Sequence, residues 1–262
     1  MKYTIVNRLD DKSAAASEYV HDKLKNTQMQ IDNKNPELVI VIGGDGTFLV
    51  AAHKYIDIIS GVLMVGVHTG TLGFFADFKI DEIDKLIDSI LNKKPNISSK
   101  RLLKTRIVES DETEKTIYSL NEIRIENIIK TQILKVWINK IYLETFRGTG
   151  ICVSTQPGST GYNRSLKGAA ISDSLQLMQM AEITGIHHKL YQSLQVPLIL
   201  DEHSEISFAS PSFKEAILCY DHLSIKINNA KHIFCSLSED KIINFARYKP
   251  NLTYIHRIKS LF

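Results

Sequence analysis

The sequence has few cysteines and no long apolar run. Its 3 cysteines, Cys152, Cys219 and Cys235, are odd in number and share no CxxC spacing. A disulfide framework and a zinc site are both disfavoured, and a reducing, cytoplasmic location is expected. The apolar runs are too short to span a bilayer, and the N-terminus shows no charged-then-apolar signal pattern, so no membrane partner is expected.

The chain also lacks a strong charge of either sign. It contains 32 basic and 29 acidic residues, which leaves a net charge of +3. This charge is too small and too dispersed to indicate a nucleic-acid partner, but it is compatible with an anionic ligand held by a few local cations. A length of 262 residues with 44% hydrophobic residues is typical of an ordinary globular protein with one large or two small domains.

The first hundred residues alternate strand-like and helix-like segments. A helix with an apolar face is predicted at residues 81–92, with Asp81 as its N-cap. This alternation favours an α/β unit with a parallel sheet, whose ligands bind at the carboxyl ends of strands. The other predicted elements are strands at 3–6, 38–42 and 62–67, a helix at 13–26 and a helix that begins near Thr47.

From about residue 101 the pattern changes to a period of two, which predicts a β-rich region of two packed sheets. The turns Asn139-Lys140 and Asn228-Asn229 are expected to form hairpins. One helix is predicted at 175–184, and the tail at 251–262 has helical spacing that would let it pack back on the first region. The expected strands are 116–125, 134–138, 141–143, 205–208, 216–220, 224–227 and 231–237.

No GxxxxGK[ST] phosphate loop occurs, but a different glycine turn does. The apolar run 38–42 leads directly into Gly43-Gly44-Asp45-Gly46. Glycines let backbone N–H groups approach a phosphate, and a carboxylate there suits a base for a hydroxyl or a ligand for a metal. The simpler alternative is a tight strand-to-helix turn in which Asp45 caps the helix.

Two further segments resemble nucleotide-binding loops. Residues 69–75 form a second glycine loop with aromatic residues that could cover a flat base. Residues 148–163 offer hydroxyl groups, backbone donors and one aromatic ring, an inventory that suits a sugar and a heterocycle. The alternative for this segment is a solvent-exposed Ser/Thr loop.

Over nearly its full length the chain resembles bacterial NAD kinases. The residues that carry the resemblance are GGDGTFL at 43–49, TGTLGF at 69–74, Asn121-Glu122, STQPGSTGYN at 154–163 and Asp221-His222. The resemblance implies an α/β domain at 1–100, a β-sandwich domain at 101–245 and a C-terminal segment at 246–262 that returns to the α/β domain. It also implies a homo-oligomer, often a tetramer.

The reaction that the resemblance implies transfers the γ-phosphoryl group of ATP, or polyphosphate, to the adenosine 2′-hydroxyl of NAD. Asp45 matches the general base, and a divalent metal, Mg2+, would offset triphosphate charge. The residues implied at the phosphates are Gly43, Gly44, Gly46, Thr47, Arg147 and His222. Those implied at NAD are Asp45, Gly46, Phe74, Asn121, Glu122, Thr149, Thr160, Gly161, Tyr162, Asn163, Arg164, Ser165 and Thr184.

Some positions depart from the family pattern. Thr149 replaces a carboxylate expected near the nicotinamide amide, Gln156-Pro157 shifts a proline by one residue, and Gly161 replaces an alanine. These changes are expected to alter NAD affinity rather than phosphate chemistry. Two alternatives remain open: a catalytically weak NADP-binding sensor, against which the intact Asp45 argues, and a lipid kinase of the wider GGDG superfamily.

Overall fold

The computed structural model of the protein describes residues 1–70, 73–187, 189 and 192–259. These residues form two units, of which one contains residues 1–100 and 240–262 and the other contains residues 101–239. In chain order, the helices and strands of residues 1–109 are β1 (Lys2–Asn7), α1 (Asp11–Leu24), β2 (Gln30–Ile31), β3 (Leu38–Ile42), α2 (Asp45–Lys54), β4 (Leu63–His68), β5 (Phe78–Lys79), α3 (Ile83–Asn92) and β6 (Asn96–Glu109).

Strands dominate the rest of the chain. The remaining elements are β7 (Glu114–Ser119), β8 (Glu122–Glu126), β9 (Gln132–Ile138), β10 (Ile141–Thr155), α4 (Tyr162–Ser165), β11 (Met178–Gly185), β12 (Leu198–Leu200), β13 (Glu205–Ala209), β14 (Ile217–Tyr220), β15 (Leu223–Lys226), β16 (Ala230–Arg247) and α5 (Tyr254–Lys259). No helix within the described ranges is both long enough and apolar enough to cross a membrane.

The first unit contains the expected parallel sheet. Its strands follow the order β2-β1-β3-β4, and β5 and the end of β16 also pair with β4, in parallel. All five residues of β3 are buried because the strand has a neighbour on each side and is covered on both faces. The register pairs Ile42 with Val67, so the chain leaves β3 and β4 at the same edge of the sheet.

The second unit is antiparallel and is organised around β10. The first half of this strand pairs with β9, and its second half pairs with β8 and β11. The predicted turn at Asn139-Lys140 joins β9 and β10, and both residues have positive φ, at 51° and 68°, as a two-residue hairpin requires. The hairpin predicted at Asn228-Asn229 is wrong, because the strands on either side of this turn do not pair with each other. Within the described residues β15 pairs with β14, and β16 pairs with other strands.

The helix predicted at 175–184 is also wrong, because this segment is β11. Its Met and Leu residues favour a helix locally, but hydrogen bonds to β10 and β12 fix it as a strand. At the other predicted helix, Asp81 lies within a 3-10 turn and α3 is preceded by Glu82. Within the described residues the tail helix is α5, and Phe262 lies outside them.

Candidate functional site

The glycine turn after β3 places Asp45 at the first residue of α2. Gly44 is the N-cap and has no side chain to bond the helix start, so no capping side chain accepts from the first-turn N–H groups. Thr47 and Phe48 both donate to the Gly44 carbonyl. The N–H groups of Asp45 and Gly46 therefore remain as donors toward an anion at the positive end of the helix.

Gly43 has a different part in this turn. Its N–H donates to the Val67 carbonyl at 2.9 Å, so it ties β3 to β4 and does not offer a donor to a phosphate. Its φ is 158°, and a Cβ atom built there would lie 2.3 Å from the Thr47 hydroxyl. Gly43 thus shapes the turn, whereas Gly44 and Gly46 border the anion-facing side.

His68 lies beside the same turn, and the sequence analysis did not single it out. The side chain is 8% exposed, and its Nδ1 accepts the Gly70 N–H at 3.1 Å. With Nδ1 as an acceptor, Nε2 is the ring nitrogen that can donate. That nitrogen is 4.0 Å from where a Cβ atom of Gly44 would stand, which adds a donor near the helix start.

The loop after β4 binds the Asp45 carboxylate through its backbone. Phe74 N–H donates to Oδ2 at 3.0 Å and Phe75 N–H donates to Oδ1 at 3.2 Å. A Cβ atom on Gly73 would lie 2.3 Å from Oδ1, so only glycine fits against the carboxylate. Phe74 is half-buried, and its ring contacts the Tyr254 ring edge-on at 6.0 Å. The predicted residues Thr71 and Leu72 lie outside the described residues.

In the second unit, Asn121 and Glu122 stand at a break in the strand predicted at 116–125. The segment forms two strands with different partners, β7 and β8, and Leu120 and Asn121 separate them. The Asp221 carboxylate holds this break, since it accepts the N–H groups of Leu120 and Asn121, each at 2.7 Å. Asp221 N–H in turn donates to the Glu122 carbonyl at 3.1 Å.

The polar ends of Asn121 and Glu122 are buried with unsatisfied oxygens. Within the described residues, neither Asn121 Oδ1 nor Glu122 Oε2 has a hydrogen-bond partner. Burial raises the pKa of the Glu122 carboxyl to about 7, and the charge of Asp221 contributes to the rise. Buried acceptors that lack a donor are costly, so this pair fits a ligand that brings hydroxyl or amine donors.

The loop after β10 contributes Gly161 and Tyr162 to the same place. A Cβ atom on Gly161 would lie 3.7 Å from Glu122 Oε2 and 3.8 Å from Asn121 Nδ2. The Tyr162 hydroxyl donates to Glu126 at 3.4 Å. The Arg124 guanidinium lies 4.2 Å from the centre of the Tyr162 ring, and it also bonds Glu126 at 2.9 Å. One face of the ring is therefore occupied by a cation.

Other predicted residues of this loop bond mainly to the protein. Asn163 is fully buried, and its amide donates to the Ser159 carbonyl and accepts from Gln179. The hydroxyls of Thr160 and Ser165 donate to backbone carbonyls within the loop. Arg164 is exposed. The structure therefore gives Asn163 a role in holding the loop, while NAD contacts from these four residues stay predictions.

Thr149 and Thr184 are not brought to Asn121 and Glu122. Thr149 precedes Ser154, the register partner of Glu122, by five positions on β10, which corresponds to about 16 Å. The β10–β11 register places Thr149 opposite Thr184, whose φ of 49° is positive. Arg147 is half-buried earlier on β10, and His222 is exposed immediately after Asp221.

Known proteins are similar to this chain over most of its length. Residues 2–95 match the family described as ATP-NAD kinase N-terminal domain. NAD kinase of Staphylococcus epidermidis is 39% identical over 253 residues, covering 95% of this chain and 93% of the relative. NAD kinase of Staphylococcus aureus is 38% identical over the same share of each chain.

Solved structures share the fold at low sequence identity. A yeast NADH kinase complexed with NADH superposes with a TM-score of 0.86 at 18% identity, covering 100% of this chain and 87% of that one. An NAD kinase from Archaeoglobus fulgidus in complex with ATP gives 0.78 at 18% identity, with 99% of each chain covered. The full-length similarity to the staphylococcal enzymes shows that this chain belongs to the NAD kinase family.

Proposed function

We propose that this chain phosphorylates the adenosine 2′-hydroxyl of NAD with the γ-phosphoryl group of ATP, and that Asp45 is the general base. Relatives that are 38–39% identical over 95% of the chain are NAD kinases, and the chain is accordingly a phosphotransferase with NAD kinase activity.

The geometry of Asp45 is the observation that carries the assignment. The carboxylate is fixed by two loop N–H groups at the start of an uncapped helix. A ribose hydroxyl is a weak nucleophile at neutral pH, and a fixed carboxylate can accept its proton as it attacks phosphorus. The adjacent N–H groups of Asp45 and Gly46 would bind the transferred phosphoryl group, which is anionic throughout the reaction.

The second unit offers what the adenosine of NAD requires. Asn121 and Glu122 present buried oxygens without donors, and adenosine supplies donors from its ribose hydroxyls and its exocyclic amine. Tyr162 follows Gly161, which lies beside both side chains, and it presents an aromatic ring. We assign adenosine binding to these residues and, by the same proposal, NAD binding to the region 101–245 as a β-sandwich domain. ATP binding is assigned to residues 1–100 together with 246–262.

The proposal also includes Mg2+ as a partner of the nucleotide. Within the described ranges, no group of three His, Cys, Asp or Glu side chains is suited to hold a metal. In the proposal, Mg2+ arrives on the triphosphate, keeps several water ligands and needs at most one protein carboxylate. Mg2+ would offset charge on the phosphates. We also propose that the protein is cytoplasmic and that it forms a homo-oligomer, in particular a tetramer.

The direct test incubates the purified protein with ATP, Mg2+ and NAD and measures NADP. Asp45→Asn should lower kcat by about 10²- to 10⁴-fold, the usual contribution of a positioned base. Asp57→Asn makes the same chemical change on an exposed residue of the same unit and should retain full activity. The same assay with polyphosphate in place of ATP tests which of the two is the phosphoryl donor.

Two results would contradict the proposal. Full activity of Asp45→Asn would show that another group accepts the proton. Tight binding of NADP without any NADP formation by the unaltered protein would favour a sensor over a kinase.

A further inference from the structure

The peptide group between Phe74 and Phe75 bonds at both ends to charged side chains. Its N–H, contributed by Phe75, donates to Asp45 Oδ1 at 3.2 Å. Its carbonyl, contributed by Phe74, accepts from Arg257 Nη1 at 3.0 Å. A single peptide group therefore connects the Arg257 guanidinium to the Asp45 carboxylate, although these side chains do not bond each other.

The neighbouring carbonyls of this loop are also held by arginines. The Ala76 carbonyl accepts from Arg257 Nη1 at 2.7 Å, and the Phe75 carbonyl accepts from Arg247 Nη1 at 2.9 Å. Carbonyls that accept from a cation polarise the peptide and strengthen its N–H as a donor. The loop that bonds the Asp45 carboxylate on one side is thus fixed on the other side by two cations.

Asp77 brings the two guanidinium groups together. It is 2% exposed and accepts from Arg247 Nη1 at 2.7 Å, from Arg257 Nη2 at 2.5 Å and from the Tyr248 N–H at 3.1 Å. Arg257 itself is 5% exposed. A buried carboxylate with this set of donors fixes the planar guanidinium groups in one orientation.

We propose that Arg257 and Arg247 are positioning residues for Asp45 and act through the peptide groups of residues 74–76. This inference rests on the proposed role of Asp45 as the base. Arg257 belongs to α5 and Arg247 ends β16. Arg247 and Arg257 therefore determine the position of the Asp45 carboxylate, although neither arginine contacts it.

The test begins with Arg257→Lys, which keeps the charge but cannot donate from one planar group to two carbonyls and Asp77 at once. We expect kcat to fall about tenfold or more, since a small displacement of a catalytic group is costly. The KM values for NAD and ATP should change less than threefold. Lys249→Met is the matched control, because Lys249 lies on the same segment but bonds Glu82.

A double-mutant cycle separates positioning from a structural role. If Arg257 acts through Asp45, Arg257→Lys should lower kcat in the unaltered protein but have little effect on the residual rate of Asp45→Asn. An equal fold-loss in both backgrounds would overturn the proposal. Should Arg257→Lys fail to fold, Arg247→Lys replaces it in the cycle, since it weakens one loop carbonyl contact and leaves Arg257 in place.

Hydrogen exchange gives a reading that does not depend on activity. Amide exchange of the segment 73–77 should be at least about tenfold faster in Arg257→Lys than in Lys249→Met or the unaltered protein. Unchanged exchange would overturn the inference even if NADP is formed. If the unaltered protein makes no NADP, the proposed function fails, while faster exchange would still establish that the arginines hold the loop.

Discussion

The Asp221 carboxylate accepts the backbone N–H of Asn121 at 2.7 Å, a bond between residues 100 positions apart. Asp221 also accepts the Leu120 N–H at 2.7 Å, and its own φ of 50° is positive. Asp221 therefore fixes the backbone break from which the Asn121 and Glu122 side chains extend.

Asp221→Asn should weaken NAD binding with little effect on the chemical step. Asparagine tolerates positive φ as well as aspartate does, but its amide group removes one acceptor from the two N–H groups. We expect KM for NAD to rise about tenfold with kcat within about twofold, since hydrogen bonds to charged groups contribute roughly 1.5–3 kcal/mol. Steady-state kinetics with varied NAD measures both.

Asp201→Asn is the control for this variant. Asp201 also accepts a backbone N–H in a turn, that of His203 at 2.9 Å, but within the described residues it does not bond residues 120–122. It should leave KM unchanged. Similar KM values for both variants and the unaltered protein would contradict the role given to Asp221.

Two glycines of the loop after β10 should respond to alanine to different degrees. A Cβ atom on Gly158 would lie 2.0 Å from the Asn121 carbonyl oxygen, so the backbone must move and overpacking should cost about 1–3 kcal/mol. On Gly161 the nearest atom is 3.4 Å away, so a methyl group has room, but φ is −88° and ψ is −129°, a backbone conformation that alanine does not readily adopt. Gly161→Ala should therefore lower the free energy of unfolding by backbone strain of about 1 kcal/mol, less than Gly158→Ala.

Their effects on NAD binding should follow the same order. Gly158→Ala should raise the Kd for NAD about tenfold or more because it displaces Asn121, whereas Gly161→Ala should leave Kd unchanged or lower it. Calorimetric titration and thermal unfolding of the two variants check both parts. Equal behaviour of the two variants would contradict the packing seen around Asn121.

The sequence predicted the structure around Asp45 better than the structure around Asn121 and Glu122. Five consecutive apolar residues that run into a glycine turn favour a strand with both faces covered, so the place of Asp45 after a strand end followed from local pattern. The break at Asn121 depends on Asp221, and no local pattern reveals a bond over 100 positions. For the same reason, Met178 and Met180 pair as strand residues although their propensity is helical.

The arginines that hold the Asp45 loop were also missed. One signal was present: Asp77 is a lone charge between apolar neighbours in Phe75-Ala76-Asp77-Phe78, and a buried carboxylate requires a cationic partner. Which cations pair with it depends on the packing of β16 and α5 in the first unit. Sequence spacing alone does not identify Arg247 and Arg257.

Glu122→Gln should stabilise the protein above neutral pH. The pKa of Glu122 is about 7 in the folded protein and 4.5 for an ordinary glutamate. Between these two pH values the folded state therefore keeps a proton on Glu122 that the unfolded state has lost. Stability is therefore lost as the pH rises through this window. Above pH 7 the charge costs about 3 kcal/mol, which Glu122→Gln would remove.

Urea unfolding at pH 5 and pH 8 measures this effect. The free energy of unfolding of Glu122→Gln should exceed that of the unaltered protein by about 1–3 kcal/mol at pH 8 and by less than about 1 kcal/mol at pH 5. The same substitution should weaken NAD binding. Glu239→Gln, at an exposed position of the same unit, should show no pH-dependent difference. A gain of the same size at both pH values would mean that burial of the Glu122 charge is not its cause.

Gly46→Ala should separate stability from activity at the phosphate end. Nothing lies within 4 Å of a Cβ atom built on Gly46, which is in the first turn of α2. Alanine favours a helix over glycine by up to about 1 kcal/mol, so the free energy of unfolding should rise. If a phosphoryl group binds against the N–H groups of Asp45 and Gly46, the added methyl would occupy its space, and kcat/KM for ATP should fall about tenfold or more.

Gly61→Ala is the matched control, because it also points into open space in the same unit. It should leave kcat/KM for ATP unchanged. A more stable Gly46→Ala protein with reduced kcat/KM would show that the glycine is retained at a cost in stability to keep the helix start open to phosphate. Unchanged kcat/KM would mean that the transferred group lies away from Gly46.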